Sequence, residues 1–497
     1  MDPSFPLAEA FAVRDGRIVE VGGSDEILWL REAASELIDL QGRTVTPGFV
    51  DPHNHLSIGA LECFWADCRP ARSIADVQRA LAEAAARTPA GAWVRGVGYH
   101  QDRLAERRHP TRGELDEAVP DRPVLLMHFS HHQAVAGSRA LAAAGLTRAT
   151  PDPAGGEIAR DRAGEPTGLL FERALEPAET LSRAGWETRF VEVVGAATRA
   201  YARLGITAIH DVAVTPAMAR RYAEARAAGA LAIRVETAMV GSGGWFAPPD
   251  DAAPGTLKLF VDGGYRCAMR VTRDGQPRTS GFLFYGADEL AARLVAAWGE
   301  GRRVVCHAIG NLGLETAADA LAAALARDPS GRARVRVDHA IFPTREQVTR
   351  LADLGVAVVG QPSFLHDLGG RAPAPDILLR PFGSLAAAGV AQAFSSDFPC
   401  GSLAPLTGIH AAVTRRDRDG EVHDPAEALS VEAAFEAYTI GAARAMGFER
   451  EGGSLERGKR ADFLVFSTDP LTAEPDRWLA LAPGETWVEG VNIADRP

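Results

Sequence analysis

Between about residue 205 and residue 400, short apolar runs alternate with longer stretches whose apolar positions recur at helical spacing, the pattern of strands joined by amphipathic helices. The strand-like runs are Ile206 to His210, Ile233 to Val240, Thr256 to Asp262, Arg303 to Ile309, Arg334 to His339, Val356 to Gln361 and Ala391 to Ser396. Helical periodicity fills Met218 to Ala228, Ala287 to Trp298, Leu314 to Ala326 and Arg345 to Leu354 between them. One further apolar run, Thr46 to His55, lies far upstream and brings the strands to eight. Eight strands separated by crossover helices predict an α/β fold of the (β/α)8 TIM barrel type, in which working side chains stand at the C-terminal ends of the strands.

The flanks have a different rhythm. Ala8 to Val13, an Asp15-Gly16 turn, Arg17 to Val21, Gly22-Gly23, a short helix and Glu36 to Leu40 read as small strands with turns, and Ala461 to Phe466 and Thr486 to Val488 read the same way near the other terminus. Residues 1–46 together with 451–497 are therefore expected to form one small composite β-sandwich domain beside a barrel of residues 47–450. After the first barrel strand, residues 56–200 form an insertion too long for a plain loop. It has an amphipathic helix from an N-cap at Ser73 to Ala86, a strand from Pro123 to His128 and turns at Gly155-Gly156 and Gly164, which predicts a subdomain covering the barrel mouth.

With 497 residues, 46% hydrophobic and 24% charged, the chain can bury a large core. A formal net charge of −12 without clustered Lys and Arg argues against a nucleic-acid partner. The five cysteines include no C-x-x-C pair, so neither a disulfide framework nor a thiolate zinc knuckle is indicated, and a reducing cytoplasm fits. No apolar run approaches the ~20 residues a bilayer requires, and Met1 to Ala10 lacks the build of a signal peptide. The expectation is a cytoplasmic enzyme with a small-molecule substrate and no membrane association; a homodimer follows only from the general frequency of two-fold oligomers.

The candidate chemistry collects where a barrel would use it. His53 and His55 are two apart at the end of the first strand and so face one side, where neutral imidazoles suit zinc, iron, nickel or copper. Lys258 lies on the fourth strand, His307 on the fifth, His339 on the sixth, and Asp397 just after the eighth. Each alone has an ordinary explanation: a core histidine, a helix N-cap, a lysine reaching solvent. Six at matching strand ends point to a metal centre. Lys258 is the odd member, because an ammonium has no lone pair to offer a metal.

Beyond these six, the chain carries P-G-F-V-D-P-H-N-H (47–55), W-V-R-G-V-G-Y (93–99), P-T-R-G-E-L-D (110–116), P-T-G-L-L-F-E (166–172), L-K-L-F-V-D-G (257–263), H-A-I-G (307–310), V-D-H-A (337–340), S-S-D-F-P (395–399) and G-S-L-E-R-G-K-R-A-D (453–462). In these motifs the whole chain resembles the amidohydrolase superfamily of metal-dependent hydrolases, and within it the amidohydrolase-3 branch. The resemblance implies that His53, His55 and Asp397 bind one divalent metal, that His307 and His339 bind another, and that Lys258 bridges them as the carbamate formed with carbon dioxide. Zinc is the default by ligand type, with manganese, iron and nickel also compatible. It further implies that a metal-held hydroxide attacks a substrate carbonyl while Asp397 moves the proton to the leaving nitrogen. His132 matches a histidine that reaches the active site from the insertion of relatives, with an insertion-core role as the alternative. Glu172 is a second pocket candidate, with a turn-stabilising ion pair as its alternative.

Three departures bear on the substrate. Asn311 stands where relatives usually have aspartate; Asp262-Gly263-Gly264-Tyr265-Arg266-Cys267 replaces the usual D-G-S-L-G-S; and relatives carry one further strand before the position of Met1. Asn311 and Arg266 are accordingly substrate-binding candidates, Arg266 for a carboxylate. The expected activity is hydrolysis of an amide-type C–N bond, N-formyl or N-acyl. The alternatives are the same centre acting on a carbamate, ester or lactone, or in isomerisation or decarboxylation, and, furthest off, a non-catalytic binding protein.

Overall fold

The computed structural model describes residues 6–183, 185–241, 246, 255–273 and 276–495. Eight strands stand in chain order in one sheet: β1 (Phe49–Asn54), β2 (Ile206–Val214), β3 (Arg234–Met239), β4 (Thr256–Phe260), β5 (Val304–Ala308), β6 (Val335–His339), β7 (Ala357–Gly360) and β8 (Gln392–Phe394). All neighbours pair parallel. The ring closes at its mouth, where the Asp397 N–H donates to the His53 carbonyl and the His55 N–H to the Phe398 carbonyl, each at 2.9 Å. The eight-stranded barrel expected from the alternation is present. β2 continues past the apolar run because His210 and Asp211 are buried with it, Asp211 accepting from Ser57 N at 2.8 Å and the Tyr222 hydroxyl at 2.5 Å.

Thr46 to His55 is two strands rather than one. Thr44–Pro47 pairs antiparallel with Phe463–Phe466 in a separate four-stranded sheet, and Phe49–Asn54 enters the barrel. Gly48 divides them: a Cβ there would sit 2.3 Å from the Thr207 side chain, so the chain can pass between the two sheets against β2 only with glycine. The four-stranded sheet and the hairpin Ala10–Arg14/Arg17–Gly22 share a core of Ile18, Ala461, Phe463 and Val465. Glu36 to Leu40 forms no strand; it finds no partner edge, and Leu37 and Ile38 are left 60% and 45% exposed.

The insertion folds on its own six-stranded sheet, in the order Ala66–Asp67, Val94–Tyr99, Val124–His128, Gln133–Ala136, Pro166–Glu172, Gly156–Arg160. Helix Ile74–Arg87 covers it with Ile74, Val77, Leu81 and Ala84. The predicted cap is reciprocal: Ser73 Oγ accepts from Asp76 N at 3.2 Å and Asp76 accepts from Ser73 N at 3.0 Å, worth about 1 kcal/mol. The helix that leads into β2, Phe190–Arg203, instead buries Phe190, Val194 and Tyr201 in the barrel's core, so the insertion's own sheet is complete before it. The insertion reaches the mouth from several sides. Arg103 donates to the Asp367 carbonyl at 2.7 Å, Gln101 to the Tyr265 hydroxyl at 2.7 Å, and the Cys400 thiol to the Ser130 carbonyl at 3.4 Å. Among the described residues no helix is long and apolar enough to cross a membrane.

Candidate active site

The C-terminal ends of β1, β6 and β8 bring His53, His339 and Asp397 together, with one ligand atom from each within 4.8 Å of the others. Asp397 Oδ1 lies 3.3 Å from His53 Nε2 and 3.1 Å from His55 Nε2. The other nitrogen of each ring is already committed. His53 Nδ1 is 2.6 Å from the Asp338 carboxylate, and His55 Nδ1 is 2.6 Å from the Val212 carbonyl. Both partners are pure acceptors, so Nδ1 donates in each ring and Nε2 is the nitrogen turned toward Asp397. In His339 too Nδ1 donates, to Gln361 Oε1 at 2.8 Å, with the Gln361 amide nitrogen pinned by Val359 O and Ser395 Oγ so that its oxygen is the acceptor, but here it is Nδ1 that lies 3.9 Å from Asp397 Oδ2. Burial lowers the His55 pKa to about 4 and that of His339 to about 3, and holds His307 well below its usual value, so these rings are neutral at pH 7.

Lone pairs and a carboxylate converging in a buried space repel one another unless a cation lies between them. Lys258 Nζ, His339 Nε2 and Asp397 Oδ1 are buried without a hydrogen-bond partner of good geometry. Such orphaned atoms are rare in folded proteins and call for an explanation. A divalent ion with N and O ligands fits His339 Nε2 and Asp397 Oδ1, whereas the Lys258 amine has a lone pair to offer only once it has lost its proton. Lys258 is 1% exposed, with Nζ 5.0 Å above the Phe260 ring. Burial brings its pKa down to about 8 against the pull of Asp338 and Asp397. His307 stands one step out. Its ring is 4.4 Å from His339, and its Nε2 faces the Gly263 carbonyl at 3.4 Å.

On the substrate side, His132 comes from the insertion to within 5.6 Å of the His307 ring. Glu172, 1% exposed and at φ 49°, holds it: Oε2 is 2.6 Å from His132 Nδ1, Oε1 accepts from Gly264 N at 3.1 Å, and Glu172 N donates to the His132 carbonyl at 2.9 Å. A Cβ on Gly264 would fall 2.2 Å from His132 Cδ2, so this loop's departure to glycine makes the room that His132 occupies. The two other substrate candidates already have partners within the chain. Arg266 pairs with Glu157 and stacks 3.6 Å from the Phe171 ring centroid, so the carboxylate it holds belongs to the insertion. Asn311 spends both amide atoms on the backbone of Arg270, accepting from its N and donating to its O at 2.7 Å each, and so clamps the hairpin Met269–Arg273/Gln276–Ser280.

The Amidohydrolase family model matches residues 36–494. The chain is 34% identical to the N-substituted formamide deformylase of Arthrobacter pascens over 99% of this chain and 96% of that one. It is 29% identical to the putative amidohydrolase YtcJ of Bacillus subtilis (strain 168), over 98% and 96%. The crystal structure of an uncharacterised metal-dependent hydrolase from Pyrococcus horikoshii OT3 superposes with a TM-score of 0.74 at 25% identity, over 94% of this chain and 95% of that one. The chain belongs to the amidohydrolase family. It is a metal-dependent hydrolase of that family with a small-molecule substrate.

Two carboxylates in this amidohydrolase escaped the reading of its sequence. Asp338 bonds His53, and Asp51 ties β1 to the segment carrying Asp397, accepting from Ser396 Oγ at 2.5 Å, Ser396 N at 3.1 Å and Asn54 Nδ2 at 2.8 Å. The signal was available for Asp338. Arg336 and Asp338 alternate with Val335 and Val337, so two charges occupy one face of a strand that lies wholly in the core. Asp51 has no such mark, because it reads simply as part of the motif before the histidines.

Proposed function

We propose that this chain hydrolyses the C–N bond of a small N-formyl or N-acyl amide, using a divalent metal, zinc by ligand type, held by His53, His55, His339 and Asp397, with His307 and Lys258 completing a second position. The observation that carries this reading is the set of imidazole Nε2 atoms aimed at Asp397 Oδ1 beside a buried, unpartnered Lys258 amine. The 34% identity to a formamide deformylase along nearly all of both chains supports the substrate class. When bound, such an ion polarises a carbonyl and brings the pKa of a water toward ~7.

The residues of the chain supply the rest. An amine with a pKa of about 8 is partly neutral at pH 7, so Lys258 can add to carbon dioxide, releasing a proton and leaving a carbamate whose two oxygens are anionic ligands. Asp397 takes the proton of the attacking water and passes it to the leaving nitrogen, a role typically worth ~100- to 10,000-fold. His132, held by Glu172, orients the substrate carbonyl against the histidines. The insertion segment that carries it shields the reaction from water.

The test is Asp397→Asn against a panel of N-formyl amines, N-acyl amines, carbamates, esters and lactones, with metal content measured on the same samples. Turnover of the amides by wild type, lost in a variant that still holds metal, is the expected result. Undiminished activity in the variant would sink the role of Asp397, and wild-type turnover confined to oxygen esters would reject the amide reading.

A further inference from the structure

The interior of a (β/α)8 barrel is usually filled with layers of branched apolar side chains. Beneath the histidines of this chain it holds an arginine. Arg336 and Asp338, two apart on β6 and therefore on one face, are 2% and 0% exposed. Arg336 Nε donates to Asp338 Oδ1 at 2.9 Å and Nη2 to Asp338 Oδ2 at 3.3 Å. Nη2 also donates to the Pro52 carbonyl, and Nη1 reaches the Ala445 carbonyl at 3.2 Å and His210 Nδ1 at 3.3 Å. One side chain thus ties β6 to β1, to β2 and to the helix Ile440–Met446. Two of these contacts lead to His53: Pro52 is the residue before it, and Asp338 Oδ2 accepts a hydrogen bond from its Nδ1 at 2.6 Å.

Stability alone does not call for this arrangement. Burying the two charges costs several kcal/mol per ion, and apolar side chains of similar volume commonly do as well or better. What the pair does supply is direction. With a carboxylate fixed opposite Nδ1, the imidazole donates on that side and Nε2 stays aimed at Asp397 Oδ1, 3.3 Å away, as the nitrogen left for a metal.

We infer that Arg336 is a positioning residue for the metal-binding face of His53: through Asp338 and the Pro52 carbonyl it fixes the tautomer and aim of the imidazole, and so sets the affinity of the site for a divalent ion. This rests on the reading of His53 as a metal ligand. The test is zinc affinity, by competition with a chromophoric chelator, together with the thermal midpoint of the metal-free protein. Both are measured on wild type, the double variant Arg336→Met/Asp338→Leu, and Arg336→Lys. The double variant is expected to keep or raise the metal-free midpoint while binding zinc ~10- to 100-fold more weakly. Arg336→Lys, which keeps the charge but loses the planar fork that spans Asp338 and Pro52, is expected to fall between them. A folded double variant with wild-type zinc affinity overturns the inference. If the double variant does not fold, Arg336→Lys decides, and unchanged affinity there overturns it equally. Wild-type protein that binds no divalent ion would instead overturn the metal reading, and this inference with it.

Discussion

Lys258→Met tests the energetic cost of the site in a single substitution. Burial lowers the Lys258 pKa from 10.5 to about 8. At about 1.36 kcal/mol per tenfold change in proton affinity, that lowering means that the charged amine disfavours the folded metal-free protein by about 3 kcal/mol at pH 7. The sign follows from the protons bound. The folded pKa lies below the unfolded one, so between pH 8 and 10.5 the unfolded state holds the extra proton and stability rises with pH. The penalty is complete below pH 8 and shrinks to about 1.4 kcal/mol at pH 9.5, where the folded amine is already neutral. Methionine fills much of the same volume without a charge. The metal-free variant should therefore be more stable than metal-free wild type, by about 3 kcal/mol at pH 7 and about half that at pH 9.5. The assay is chemical denaturation in chelator and carbon-dioxide-free buffer at both pH values, which keeps the carbamate from forming. With zinc and bicarbonate restored the order should reverse, because only wild type regains the ion's binding energy. A metal-free variant less stable than wild type at pH 7, or a difference that does not change with pH, would refute the reasoning.

Two further substitutions probe the substrate side, each by installing the residue usual in relatives. Gly264→Ser places a Cβ 2.2 Å from His132 Cδ2, so His132 must leave the Glu172 carboxylate; kcat/KM should fall at least ~10-fold while the thermal midpoint stays within about a degree, and unchanged kcat/KM would remove His132 from the site. Asn311→Asp cannot donate to the Arg270 carbonyl and should cost about 1–3 kcal/mol of local stability, read as faster trypsin cleavage in the hairpin Met269–Arg273/Gln276–Ser280; an unchanged cleavage rate would mean that the clamp is not what holds the hairpin.

The metal side of the site was legible because its signals are local and periodic. Strand ends can be found from apolar alternation, and His53, His339 and Asp397 stand where the barrel rule places working residues. The substrate side was not. Arg266 and Asn311 were singled out because they differ from relatives, and a difference says nothing about direction: the guanidinium turns to Glu157 and the amide to the backbone of Arg270. Their partners lie 109 and 41 residues away, one in the insertion and one in a hairpin that no apolar pattern announced. Gly48 shows the same limit on a smaller scale. The stretch from Thr46 to His55 reads as one strand although it contains Pro47-Gly48, and the Thr207 side chain, 2.3 Å from where a Cβ would be, explains why glycine is needed where the chain changes sheets.

That division has a physical origin. The ends of β1, β6 and β8 belong to one sheet whose hydrogen bonds fix each strand to its neighbour, so the positions of His53 and His339 follow from register and that of Asp397 from the three-residue step beyond β8 that its N–H ties to the His53 carbonyl. His132 belongs to another sheet, and its approach to His307 depends on two contacts between separately cored parts, Gly264 with its ring face and Cys400 with the Ser130 carbonyl two residues before it, and on Glu172, which holds its imidazole from within the insertion. Each of these can change without disturbing the barrel or the ligands. The expectation is that variants along Ser130–His132, Glu172 and Gly264 alter which substrate is cut long before they alter metal affinity.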